Sequence, residues 1–323
     1  MKDFGGKIAV VTGGGTGMGR ELVRHLAADG CHVAMCDVSA DNMAESRALA
    51  LDKAPTGTRV TTTVADVAEE RQLEAFRDAV IREHATDHVN LVFNNAGIGA
   101  GGSFIRDARE DWERTFGVCW YGVYYGSRVF LPLLLKASEG HLVNTSSVNG
   151  FWASLGPQTS HTAYSAAKFA VKGFTEALIN DCRLNAPHVK VSLVMPGHIG
   201  TSIVINTARI MGREPQNLSA EQLQDTRAMI TRMGFEVGEV PDDMLRELLQ
   251  QRAEAFRDQA PMSASDAAKV ILDGVRAERW RILVGRDAEV LDRMVRETPE
   301  EAYEKPFFER FATAAGWSFG GRS

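Results

Sequence analysis

The sequence predicts an α/β fold, a doubly wound and mostly parallel sheet of seven strands with helices on both faces and one helical insertion. Three observations predict it. Short β-branched runs alternate with stretches of helical apolar spacing from Lys7 to Met195, the first run ends in a cluster of glycines, and the alternation stops after Pro196 before resuming at Ser263. Strands separated by crossover helices lie parallel, so this rhythm implies a parallel sheet covered on both sides.

Lys7 to Thr12 (KIAVVT) reads as the first strand, and Met18 to Ala28 follows with apolar residues at Leu22, Val23, Leu26 and Ala27. His32 to Asp37 is a second buried strand, followed by an Ala-rich helix from Ala40 to Lys53 and a third strand from Arg59 to Ala65. Glu69 to His84 is amphipathic through Leu73, Phe76, Val80 and Ile81. A strand at Asn90 to Phe93, a long helix from Asp111 to Leu135, a strand at His141 to Thr145, a helix from Thr162 to Arg183 and a strand from Val189 to Met195 complete six strands. Residues 201–260 hold no convincing strand but two helical stretches. One opens with the Ser219-Ala-Glu-Gln capping pattern; the other runs from Asp242 to Phe256. Ser263-Ala-Ser-Asp opens a further helix, and Arg281 to Val284 is the seventh strand. The tail beyond Gly285 is helical and then aromatic, with Tyr303, Phe307, Phe308, Phe311, Trp317 and Phe319.

With 323 residues, 36 Lys and Arg against 42 Asp and Glu, and 44% hydrophobic content, the chain has the composition of a folded globular protein of charge −6. That balance, with no basic cluster, argues against a nucleic-acid partner. The Ile8 to Val11 run is too short for a signal peptide. The longest apolar stretch, Val129 to Leu135, is broken by Pro132 and far short of the roughly 20 residues that span a bilayer. A cytoplasmic protein with no membrane partner is expected. Cys31, Cys36, Cys119 and Cys182 form no CxxC pair, so reduced, packed thiols and no metal are expected.

Thr12-Gly-Gly-Gly-Thr16-Gly-Met18-Gly19 lies between the first strand and its helix, where glycines let backbone approach a pyrophosphate and the helix N-terminus offers N–H donors. A tight turn without ligand is the simpler alternative, but Asp37 closes the second strand 24 residues after Gly13. There a carboxylate accepts hydrogen bonds from an adenosine ribose and repels a 2′-phosphate, which points to NAD rather than NADP. A helix N-cap is the other reading of Asp37, and Arg20 is the nearest cation to oppose its preference. Tyr164 and Lys168, four apart on a helix, share a face; an ammonium beside a phenol, together with a cationic nicotinamide, stabilises the phenolate as a base near neutral pH.

The combination resembles the short-chain dehydrogenase/reductase family over roughly residues 5–200 and again near 263–285. The matching elements are Thr12 to Gly19, Asp66-Val67, Asn94-Asn95-Ala96-Gly97, Ser146-Ser147, Tyr164-Ser-Ala-Ala-Lys168 and Pro196-Gly197-His-Ile199-Gly-Thr201. The resemblance implies a Rossmann-like fold with the glycine loop (Gly13, Thr16, Gly17, Met18 and Gly19) on the cofactor. It also implies Asp66 and Val67 near the adenine, and Asn94, Ala96 and Gly97 in the cofactor wall. Pro196, Gly197, Ile199 and Thr201 would lie near the nicotinamide, with Lys168 and Tyr164 also touching the cofactor. Ser147, followed by Val-Asn-Gly, fits the catalytic serine better than Ser146. The stretch from Phe151 to His161 is longer than usual and is expected to loop over the substrate. The family commonly has an asparagine where this chain has Cys119, within Phe116 to Gly122. His161 and His198 flank the site; solvent-facing or backbone-bonded histidines are the simpler reading.

The expected activity is NAD-dependent interconversion of a secondary alcohol and a ketone by Ser147, Tyr164 and Lys168. The apolar residues of 201–260, among them Ile203, Val204, Ile210, Met233 and Phe235, suggest a lid selecting a bulky hydrophobic or aromatic substrate; a subunit contact is the alternative. One domain spanning 1–323 is expected, with a C-terminal extension at 286–323. The resemblance implies a homodimer or homotetramer, and the aromatic tail could reach a neighbouring subunit. Three rivals are an NADP-dependent ketoreductase of acyl-type substrates, a non-catalytic NAD-binding regulator, and a sugar-nucleotide epimerase, whose usual glycine spacing is absent. No GxSxG elbow supports a hydrolase.

Overall fold

The computed structural model describes residues 1–157, 159–232 and 236–317. In chain order the elements are β1 (Ile8–Thr12), α1 (Gly17–Ala28), β2 (His32–Asp37), α2 (Ala40–Leu51), β3 (Val60–Val64), α3 (Glu70–His84) and β4 (Leu91–Asn94). Next come α4 (Arg109–Phe116), a π-helical turn (Gly117–Tyr121), α5 (Gly122–Leu134), β5 (Gly140–Thr145), α6 (Thr162–Asn185) and β6 (Val189–Pro196). The rest of the chain supplies β7 (Ile199–Gly200), α7 (Ile203–Ile210), α8 (Ala220–Arg232), α9 (Asp242–Asp258), β8 (Met262–Ser263), α10 (Ala264–Arg276), β9 (Arg281–Val284), α11 (Arg286–Glu297) and α12 (Lys305–Ala315).

The main sheet has seven strands in the order β3-β2-β1-β4-β5-β6-β9, all parallel. Alternate residues feed the two faces, because side chains along a strand alternate in direction. In β1, Ala9 and Val11 join a core under α1 and α10 with Leu22, Leu26, Ile271 and Leu272. Val10 points the other way, into the core beneath α3, α5 and α6 with Phe76, Phe130 and Ala167. Both faces are covered, which is why these strands read as unbroken apolar runs. The order reverses direction between β1 and β4, and such a switch point opens a crevice at the C-terminal strand ends.

Segment 201–260 differs from its expected two helices, because Ile203–Ile210 forms a third and Ile199–Gly200 pairs with Met262–Ser263. The capping pattern at Ser219 forms as expected: Gln222 N donates to Ser219 Oγ at 3.2 Å, and Ser219 N donates to Gln222 Oε1 at 2.8 Å. Helices α8 and α9 close a small core of Leu218, Leu223, Ile230 and Leu245, so part of the insertion's apolar content serves its own packing. Met233, Phe235 and Phe319 lie outside the described residues.

The described tail folds back on its own chain. Phe307 and Phe311 pack with Trp152 and Leu291, and the Trp152 indole N–H donates to Ala302 O at 2.6 Å. Truncating Trp152, 1% exposed, removes both this hydrogen bond and the centre of that cluster. Trp152→Ala should therefore lower unfolding stability by about 3–5 kcal/mol, read as a shifted urea midpoint.

Candidate active site

A cleft enclosing about 960 Å³, including space open to solvent, lies over the ends of β1 and β4. Gly13 (φ +67°) turns the chain out of β1 against Ala96, where a Cβ would lie 2.8 Å from Ala96 Cα. The α1 N-terminus follows, with no acidic residue in its first turn and no side chain capping it. Its N–H groups are thus left for an anion, and the glycine cradle fits a pyrophosphate. Thr16, Gly17, Met18, Gly19, Asp66, Val67, Ala96, Gly97 and Thr201 all line this cleft.

Asp37 also lines it. Its carboxylate accepts from Gly15 N at 3.0 Å and Ser39 N at 3.1 Å, holding the glycine loop against the start of α2. Arg20 turns its guanidinium to Gly15 O at 2.8 Å and to Glu45 at 2.6 Å, so its charge is already engaged. Two arginines line the cleft itself: Arg114 pairs with Asp66 at 2.7 Å, and Arg209 with Glu214 at 3.2 Å.

Asn94 departs from its expected place in the cofactor wall. Its side chain is buried behind the cleft, donating to Asn144 Oδ1 at 2.8 Å and Ser127 Oγ at 3.1 Å. Asn95 lines the cleft instead, donating to Thr12 O at 3.1 Å. Successive residues at a strand end face opposite ways, so one position of register separates the two roles.

The end of β5 and the start of α6 bring the predicted catalytic residues together. Ser147 is buried and caps the short turn after β5, accepting from Asn149 N at 3.1 Å, and its hydroxyl lies close enough to Tyr164 to favour ionisation of the phenol. Ser146 donates instead to Lys168 O at 2.7 Å, a structural bond that leaves Ser147 as the serine facing the site. The Lys168 ammonium is buried beneath, donating to Thr145 O at 3.0 Å and lying 5.3 Å from the Tyr164 ring centroid. Burial pushes the Tyr164 phenol above its ordinary range, the Cys119 thiol adding to it and the nearby Ser147 hydroxyl opposing; burial likewise draws Lys168 down. The lowering expected from sequence draws on a cationic nicotinamide as well as the lysine, and in the free chain loss of hydration dominates. Cys119 lies in the π turn, its thiol donating to Ile98 O at 3.2 Å. All four cysteines are free and buried, and no metal-binding group of His, Cys, Asp or Glu occurs among the described residues.

A second cleft of about 810 Å³ opens beside Ser147 and Tyr164, with Pro196, Gly197, Ile199 and Thr201 on one wall. Met18, Val148, Leu155, Ile203, Val204, Phe256 and Trp317 make it mostly apolar. His161 lines it too, its ring 4.7 Å from that of Tyr164, and burial lowers it to about 4, so it is neutral. His198 is backbone-bonded as expected, to Phe256 O at 2.8 Å. The helical form of α7 and the place of Trp317 in these walls are what sequence reasoning missed. Helix α7 lies across both clefts, tied by Asn206 Nδ2 to Thr16 Oγ1 at 2.8 Å and by Gly99 N to Thr207 Oγ1 at 2.9 Å.

A parallel sheet with a glycine-lined cleft at its switch point defines a dinucleotide-binding protein. Comparison with known proteins narrows the class. A family model described as short chain dehydrogenase matches residues 7–210. A putative oxidoreductase, SadH, of Mycobacterium tuberculosis is 34% identical over 296 residues, 92% of each chain. A short-chain dehydrogenase/reductase from Burkholderia phymatum, solved with NAD, superposes with TM-score 0.73 at 29% identity over 93% of this chain and 96% of that one. A metagenomic short-chain oxidoreductase solved with NADP gives TM-score 0.53 at 27% identity over 60% of this chain and 83% of that one. The chain belongs to the short-chain dehydrogenase/reductase family: it is an oxidoreductase acting on CH–OH groups with a nicotinamide cofactor. Among the described residues no helix is long and apolar enough to cross a membrane.

Proposed function

We propose that the protein is an NAD-dependent dehydrogenase interconverting bulky hydrophobic or aromatic secondary alcohols and their ketones. The observation that carries this reading is the convergence of Ser147, Tyr164 and Lys168 where the glycine-lined cleft meets the apolar one. A bound nicotinamide dinucleotide supplies the hydride acceptor and a positive ring. Ser147 holds the substrate oxygen by a hydrogen bond, and Tyr164 accepts the hydroxyl proton during oxidation or returns it during reduction. Lys168, desolvated beneath, stabilises the phenolate by charge and positions the ribose. Gly13, Thr16, Gly17, Met18 and Gly19 receive the pyrophosphate, Asp66 and Val67 border the adenine, and Ala96, Gly97, Ile199 and Thr201 border the nicotinamide side. The apolar walls leave few polar partners other than Ser147, Tyr164 and His161, which favours a large hydrocarbon frame around one carbinol. We read 201–260 as a lid within a single catalytic domain, since α7 spans both clefts. A homo-oligomer built on α5 and α6 fits the exposed Tyr121 and Phe169.

Asp37 carries the choice of NAD, together with the prior engagement of Arg20, Arg114 and Arg209. The test is nicotinamide absorbance with NAD and NADP across secondary alcohols of increasing bulk. NAD should be preferred by at least about 100-fold in kcat/KM, equivalent to about 2.7 kcal/mol. Val38→Arg, at a half-exposed residue beside Asp37 that also lines the cleft, should raise kcat/KM with NADP by about tenfold. Equal use of both cofactors by the wild type would remove Asp37 from this role. No turnover of any alcohol or ketone would favour the non-catalytic NAD-binding reading.

A further inference from the structure

We propose that the C-terminal arm completes the substrate site, with Trp317 as a specificity-determining wall and Asp287 as the positioning residue that holds it. This rests on the second cleft being the substrate site.

The arm reaches that cleft by a defined route. Helix α12 buries Phe307 and Phe311 around Trp152, then ends at Gly316, whose φ of +69° is a left-handed reversal that a side chain resists. Trp317 N donates to Ala312 O at 2.9 Å across this reversal, and the indole packs edge-on to Phe311 with centroids 4.8 Å apart. The chain thereby returns toward the sheet, and Trp317 lines the same cleft as Ser147 and Tyr164. An indole brings a large rigid apolar face at little entropic cost.

Asp287, in the first turn of α11, is 2% exposed. A carboxylate so deeply buried is costly unless it is hydrogen-bonded, and this one accepts from three N–H groups. Ala288 N reaches Oδ1 at 2.9 Å, while His198 N at 2.7 Å and the Trp317 indole N–H at 2.9 Å both reach Oδ2. A Cβ on Gly197 would lie 2.2 Å from both carboxylate oxygens, so the turn after β6 is shaped around this group. One carboxylate therefore joins the arm to the Pro196–His198 turn that forms another wall of the cleft. Phe256 of α9 meets the same turn, its ring 4.3 Å from that of His198. Insertion and arm thus converge on one side of the substrate space, although some 60 residues of chain separate them.

The test compares wild type, Trp317→Phe, Trp317→Ala, Asp287→Asn and Tyr164→Phe on a series from 2-butanol to 1-phenylethanol and 1-(2-naphthyl)ethanol, with NAD affinity measured separately. Trp317→Ala should raise KM for the aryl alcohols at least tenfold, with a smaller effect on kcat, and should flatten the ranking by size; Trp317→Phe should fall between. Asp287→Asn turns an amide N–H toward an N–H donor, so it should move KM in the same direction and speed amide exchange over residues 305–317. NAD affinity should stay within twofold in wild type and both Trp317 variants. An unchanged KM ranking in Trp317→Ala, with Tyr164→Phe inactive, overturns the arm's role and leaves the proposed function standing. Loss of NAD affinity in Trp317→Ala would assign the arm to general folding and also overturn it. Activity retained in Tyr164→Phe would instead overturn the proposed function, and the inference with it.

Discussion

Tyr164→Phe should lower kcat by about 10²–10⁴-fold while leaving NAD affinity and the melting temperature nearly unchanged. The substitution deletes one hydroxyl from a ring that stays packed against His161 and over Lys168. What is lost is the phenol proposed to exchange a proton with the substrate oxygen beside Ser147. Because burial holds the phenol above its ordinary range in the free chain, the phenolate has to be drawn out by positive charge, from Lys168 and from the oxidised nicotinamide. Alcohol oxidation should accordingly increase as pH rises, and Lys168→Met should move that rise to higher pH as well as lowering its plateau. A pH–rate profile measured with saturating NAD checks both; a profile identical in Lys168→Met and wild type would detach the lysine from the tyrosine.

A comparable effect on stability is expected from His141, far from the chemistry. This side chain in β5 is fully buried; its Nε2 meets Ser192 Oγ at 2.7 Å, and Ser192 in turn donates to Arg279 O at 2.6 Å. Since the serine proton is committed to the carbonyl, Nε2 carries the imidazole proton, and Nδ1 is an acceptor without a donor that would find no acceptor if it were protonated. A second proton has nowhere favourable to go, and burial lowers the group to about 3 from an ordinary value near 6.5. Below pH 6.5 the unfolded chain binds a proton that the folded chain refuses, so stability falls as pH drops from 6.5 toward 3 and is unaffected above 6.5. By pH 4 this one histidine should cost about 3 kcal/mol. Melting temperatures across that range should drop by about 4 °C more in wild type than in His141→Leu. Parallel curves would mean that the buried imidazole finds a partner for its second proton.

Much of this architecture is written in short-range patterns. All seven sheet strands lie within two residues of where alternation and apolar runs place them, because a parallel strand covered on both faces must be apolar throughout. The glycine turn and the Tyr164 and Lys168 pair follow from spacings of a few residues, over which backbone geometry alone decides which groups share a face, and Asp37 follows from its place at the end of the second strand. Ser147 was separable from Ser146 by the residues after it, and the hydrogen bond from Ser146 to the Lys168 carbonyl supplies the physical ground for that choice.

Other parts were invisible locally. Helix α7 begins Ile-Val-Ile, a β-branched run with weak helix preference, and it is held by hydrogen bonds to Thr16 and Gly99, residues more than a hundred positions away. Asn94 and Asn95 are chemically identical neighbours, and only the sheet's register sends one inward and the other to the cleft. The aromatic tail showed its hydrophobicity but not its destination; Gly316 after a helix, followed by tryptophan, was the available hint of a chain reversal. Spacing along the chain thus specified the individual strands, the glycine turn and the Tyr164 and Lys168 pair, since each is built from residues already close in sequence. The walls of the substrate space depended on closure of the whole fold, because Trp152 meets Ala302 and Asp287 meets His198 only once the sheet has brought distant segments together.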